Sequence, residues 1–153
     1  MQKHRFLFNI KIFRNNKKMI SYSDNENTLL DCVEKIESFQ FISNGVIKEI
    51  KNKSDEFFRI LTKIETIFSN SCLMPAFGVS LHGETLNELK SGSWLQINFS
   101  HKITKNGLPF NSLLFQLEEV SGFNLIRLYN NRYDGRCLYL NLDENTNLLK
   151  LIQ

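Results

Sequence analysis

The sequence predicts an α+β domain: an antiparallel sheet ending in a C-terminal meander, with two main helices from the N-terminal half packed on one face. Three observations predict it. Residues 28–38 and 55–68 carry apolar side chains at helical spacing. From Trp94 to Leu142 the apolar residues run in strand-length stretches rich in aromatic and branched side chains. Asn-Gly pairs at 44–45 and 106–107 mark tight turns, the second of them within those stretches.

Residues 5–14 come first. Phe6, Phe8, Ile10 and Ile12 fall on one face of an alternating pattern, which reads as a strand. The same stretch is basic and free of acids, so a leader peptide is a rival reading, and a true start at Met19 is a third. Residues 28–38, TLLDCVEKIES, read as a helix capped by Asn27 or Thr28, with Leu29, Cys32 or Val33, and Ile36 on its buried side. Residues 39–50 read as a hairpin around Asn44-Gly45, because both positions of a type I′ turn need positive φ. Ser54 caps a second helix, with Asp55 and Glu56 in its first turn. Its buried stripe is Phe57, Ile60 or Leu61, Ile64, and Ile67 or Phe68.

The second half changes character. AFGVSL (76–81) reads as a strand, ETLNELK (84–90) as a short helix, and WLQINF (94–99) as a strand with Leu95, Ile97 and Phe99 on one face. Asn106-Gly107 marks a turn, and Pro109 withholds a ladder donor. SLLFQLEEV, FNLIRLY and RCLYLNL follow as three antiparallel strands, broken at Ser121-Gly122 and at NNRYDG. The tail NTNLLKLI reads either as a short helix or as an edge strand.

At 153 residues the chain fits one domain spanning residues 1–153. Apolar residues make up 42%, while Pro and Gly number only 2 and 7, so long linkers are not expected. No apolar run approaches the roughly 18 residues of a membrane span. With no secretory signal apparent, a soluble cytoplasmic protein is expected. The 3 cysteines, Cys32, Cys72 and Cys137, are spaced neither as a disulfide framework nor as a zinc motif, and are expected reduced and mostly buried. Formal net charge is +3, yet residues 1–18 hold six bases and no acid. The remainder therefore sets 13 bases against 16 acids, a net of −3, which is not the broad basic field of a DNA binder.

Catalytic candidates are sparse. His82-Gly83-Glu84 matches half of a zinc deaminase signature, but the Pro-Cys-x-x-Cys half is missing. Cys137 beside Arg136 could serve as a nucleophile with His101 or His82 as base. On a strand, however, Arg136 and Cys137 point to opposite faces. Glu118-Glu119 diverge likewise, and Asp143-Glu144 are expected in a turn. No phosphate-cradling Gly-rich loop is present, and neither a cofactor nor a metal is expected.

The stretch from Arg127 to Tyr139 sets arginines among tyrosines around a polar turn. Arg and Tyr are enriched at protein-interface hot spots, and they also hold single-stranded nucleic acid. The predicted binding residues are therefore Arg127, Tyr129, Arg132, Tyr133 and Arg136, with Arg127, Tyr129 and Tyr133 sharing one sheet face. The leading expectation is a non-catalytic interaction domain of the inhibitor, immunity-type or adaptor kind, with a protein partner. The alternative is a nucleic-acid binder that joins the basic start to this hairpin. Third comes a small enzyme built on Cys137 or on His82 and His101.

Overall fold

The structure is a computed structural model, described over residues 25–73, 79–80, 91–117, 120–133, 136–146 and 148–152. Residues 5–14, His82, residues 84–90, Glu118 and Glu119 lie outside these ranges.

A 3-10 turn, Asn25–Asn27, precedes a 3-10 helix at Leu30–Lys35. The Thr28 Oγ1 accepts the Leu30 N–H at 3.1 Å, which meets one orphan donor of the helix start. The helix expected to run to residue 38 stops at Lys35, and Ile36 is already extended with ψ 120°. Ile36–Ser43 forms strand β1; its register to the later strand at Ser93–Lys105 shifts between Ile36 and Ser38, and from Phe39 to Phe41 the apolar residues recur every second position. The period of two wins there because Phe39, fully buried, must enter the core from a sheet. Leu29, Cys32 and Val33 are buried as the helical spacing predicts.

Strand β2, Val46–Ile50, returns antiparallel along β1 through Asn44 and Gly45, whose φ values are 49° and 76°. Helix α1 spans Asp55–Ser69. Ser54 caps it, its Oγ accepting the Phe57 N–H at 3.1 Å. Phe57, Ile60, Leu61, Ile64, Ile67 and Phe68 are all buried, as the predicted stripe requires. The Phe57 ring sits between Phe39, at 5.1 Å, and Phe58, at 5.4 Å.

The remaining strands are β3 (Ser71–Leu73), β4 (Val79–Ser80), β5 (Ser93–Lys105), β6 (Leu108–Gln116), β7 (Val120–Tyr129), β8 (Arg132–Tyr133) and β9 (Arg136–Thr146). Their order is β2-β1-β5-β6-β7-β9-β3, with β4 beside β9 and β8 beside β7. Every described pairing is antiparallel, and β5, β6, β7 and β9 form the expected meander. The β5–β6 turn places Asn106 and Gly107 at φ 51° and 74°. Ser121-Gly122 does not break the strand. It lies within β7, where the register to β9 shifts between Val120 and Gly122, as an irregularity tolerant of glycine. Asp143-Glu144 continue β9 instead of forming a turn. The tail resolves as a short helix, α2, at Leu149–Ile152.

The main core lies between α1 and one sheet face. Leu95, Ile97 and Phe99 join Phe39, Leu113 and Phe115 there, with the 3-10 helix packed beside α1. α1 is the one long helix among the described residues; the second predicted helix is the 3-10 element. The other sheet face also buries a small cluster, Trp94, Leu114, Ile126 and Cys137, flanked by half-buried Ile42 and Leu128. One ion pair ties the 3-10 helix to the end of β5: Lys105 Nζ reaches both Asp31 carboxylate oxygens, at 2.9 and 3.0 Å. Among the described residues no helix is long and apolar enough to cross a membrane.

Candidate functional site

The Arg/Tyr stretch folds as predicted into a hairpin. β7 turns at Asn130 and Asn131, both with positive φ (52° and 61°), and returns as β8. Asn tolerates this region better than most residues because its short amide can bond to nearby backbone. Asn130 is fastened from its neighbour strand, its N–H donating to Asn111 Oδ1 at 3.2 Å.

The register then sorts the five predicted residues. Leu128 pairs with Tyr133, Tyr129 with Arg132, and Leu113 with Arg127. Residues directly opposite share a face, and alternate residues along a strand do too. Tyr129, Arg132 and Arg127 therefore lie on one face, and Tyr133 lies on the other, beside Leu128. The expectation that Tyr133 joins Arg127 and Tyr129 on one face is corrected by this pairing.

Arg127 also departs from expectation: it is 0% exposed. β7 pairs with β9 up to Leu125–Leu138 and with β8 from Leu128–Tyr133, so the paired positions sum to 263 before the gap and 261 after it. The register between the two described pairings therefore shifts by two residues along the stretch that holds Arg127. The guanidinium lies beside this shift. Its Nε donates to the Arg136 carbonyl at 2.9 Å and its Nη1 to the Pro109 carbonyl at 2.5 Å. It therefore clamps β9 and β6 onto β7 from between them, and acts as an internal strut of the hairpin.

Tyr129, Arg132, Tyr133 and Arg136 remain accessible. Tyr129 is half-buried, Arg132 and Arg136 are exposed, and Tyr133 is 50% exposed. Tyr129, Asn130, Arg132 and Tyr133 line a half-open hollow of about 570 Å³ at the hairpin tip. Among the described residues, no hydrogen bond or ion pair engages the Arg132 guanidinium or either tyrosine hydroxyl. Asn130 was not among the predicted residues. The Asn-Asn dipeptide at a turn was the available signal for it.

The thiols offer no comparable site. Cys137 is buried and Arg136 exposed, on opposite faces as the alternation predicts. His101, exposed on β5 and bonded to Ser100 Oγ at 2.7 Å, is three strand positions from Cys137 in the sheet order, roughly 14 Å at the usual strand spacing. That is beyond proton-transfer reach. Burial and the neighbouring Asp31 carboxylate push the Cys32 thiol up to about 12, which keeps it protonated and unreactive. Cys72, expected buried, is exposed on the short strand β3. Among the described residues no cluster of three or more His, Cys, Asp or Glu side chains could hold a metal.

No protein-family model matches the chain, and no curated protein or solved structure shows significant similarity to it.

Proposed function

We propose that this domain is a non-catalytic interaction module, of the inhibitor, immunity-type or adaptor kind, that holds a protein partner with the tip of the β7–β8 hairpin. One observation carries the reading. Tyr129, Arg132 and Tyr133 surround a hollow, and their polar groups engage no partner among the described residues. Tyrosine presents a large rigid area with a polar end, and arginine a planar donor fork. The hairpin is also well supported, by the Arg127 clamp and the Asn111 contact, so little ordering entropy opposes binding. A cytoplasmic setting fits a chain whose described cysteines are free thiols.

The test is co-purification at physiological salt from the native cell, comparing the natural chain with a double variant, Arg132→Ala with Tyr133→Ala. The natural chain should retain a stoichiometric protein partner. The variant should lose about 2 kcal/mol or more of binding, roughly thirtyfold in affinity, with its melting curve unchanged. A folded double variant that keeps its partner would place the interface elsewhere.

A further inference from the structure

We propose that the hairpin tip receives an acidic peptide segment, its carboxylate taken by the Arg132 fork and an adjacent apolar residue lying against a tyrosine ring. This deepens the interaction reading above and rests on it. The register puts Arg132 on the same face as Tyr129 and Arg127. Arg136 belongs to that face as well, because it alternates with Leu138, which pairs with Leu125, two residues before Arg127 on β7; the Arg127 Nε also bonds its carbonyl. Three guanidinium side chains thus gather on one face at one end of the sheet, one buried and two exposed. Like charges held together raise the local potential and focus an anion. Arg132, for which no internal acceptor is present among the described residues, is the fork left for it.

A carboxylate matches a guanidinium through two parallel N–H···O bonds. The hollow supplies further neutral groups, the Asn130 side-chain amide and the Tyr129 and Tyr133 hydroxyls, and the tyrosine rings give apolar surface for a neighbouring side chain. A phosphate backbone would also bring anions. Single-strand binding, however, needs a basic groove tracking several nucleotides. The sequence after residue 18 carries 13 bases against 16 acids, and the tip offers a single cluster. A protein segment is the better fit.

The experiment is an amide and arginine-side-chain NMR titration of the full chain at physiological ionic strength. The probe is the acetylated, amidated peptide Glu-Leu-Glu-Phe-Glu. Saturable shifts should concentrate at Tyr129, Asn130, Arg132 and Tyr133 and at the Arg132 Nε–H. Arg132→Ala should weaken binding about tenfold, the worth of one fork. Arg132→Lys should restore only part of it, because a point charge lacks the fork. The counterpart Lys-Leu-Lys-Phe-Lys should leave these signals unmoved. Shifts spread evenly over the basic surface, or a thymidine oligonucleotide saturating the same signals, would overturn the proposal. Its failure is separable from that of the interaction reading. If the double variant loses its native partner while the acidic peptide leaves the tip unmoved, the hairpin is an interface and the acidic chemistry is wrong. If the double variant keeps the partner, the interaction reading itself fails.

Discussion

Replacing Arg127 tests the hairpin's support directly. The side chain is wholly buried and donates to one carbonyl on each neighbouring strand. Hydrogen bonds from a charged group contribute about 1.5–3 kcal/mol each, and an orphaned buried carbonyl costs about 1–3 kcal/mol. Removing the guanidinium also removes its own desolvation cost, which offsets part of the loss. Arg127→Met keeps most of the volume and isolates the donors, so it should cost about 1–3 kcal/mol. Arg127→Ala adds a cavity and should cost about 3–5 kcal/mol. For a chain of this size each kcal/mol moves the Tm by about 2–4 °C, so the alanine variant should melt roughly 6–20 °C lower. Urea unfolding gives the free energies. Amide hydrogen exchange at residues 130–133 should quicken in both variants, because the clamp ties the hairpin's base. A methionine variant losing less than about 0.5 kcal/mol, with exchange at 130–133 unchanged, would show that the strands hold without the guanidinium and would refute the strut.

The other predictions are simpler. Phe57→Ala and Ile64→Ala should each cost about 2–5 kcal/mol in urea unfolding, since both side chains sit in the α1 stripe and leave cavities. Asp31→Ala should cost about 2–3 kcal/mol, because it removes the carboxylate that faces the Lys105 ammonium, which is only 4% exposed. Lys105→Met should cost less, since the carboxylate left behind is 34% exposed and can hydrate. Equal losses at the two positions would show that the pair's value is mutual attraction alone. A thiol reagent should modify Cys72 in the native chain and spare Cys32 and Cys137 until denaturant is added. Cys32 also predicts a pH dependence. Its folded value of about 12 lies above the ordinary thiol value of 9.0, so the unfolded chain gives up the proton first. Stability should therefore fall as pH rises above about 9, and Cys32→Ala should remove that part of the slope in alkaline melts.

The fold was legible where one period ran unopposed. The α1 stripe, the Ser54 cap and the Asn-Gly hairpins each came from a few residues whose geometry admits little else. The segment around residues 28–38 was misread because two periods overlap in it. Leu29, Cys32 and Ile36 satisfy helical spacing, while Ile36, Phe39 and Phe41 begin a strand. A local pattern cannot show which tertiary contact prevails. Phe39 meeting Phe57 at 5.1 Å is a contact between residues far apart in sequence, and it fixes the extended conformation. The Ser121-Gly122 punctuation was likewise real but ambiguous, since glycine marks a register irregularity as readily as a turn.

The binding candidates divide for a related reason. Within FNLIRLY, residues 123–129, the apolar side chains fall on both faces of the strand. Such a run signals a strand covered on both sides, and an arginine inside it is therefore buried. That signal was present at Arg127 and was outweighed by its composition match to Tyr129 and Arg132. The alternation along one strand does not fix the face of residues on the return strand, which depends on the length of the turn. Pairing Tyr129 with Arg132 instead sends Tyr133 to the reverse face. A two-residue turn fixes that parity, and Asn130-Asn131 with positive φ is such a turn. The consequence is functional as well as structural. With Arg127 inside, the charge at the tip is braced from below, and the exposed arginines lie on one face while Tyr133 lies on the other. A partner that engages both Arg132 and Tyr133 must therefore reach around the end of the hairpin instead of lying flat on either face of the sheet.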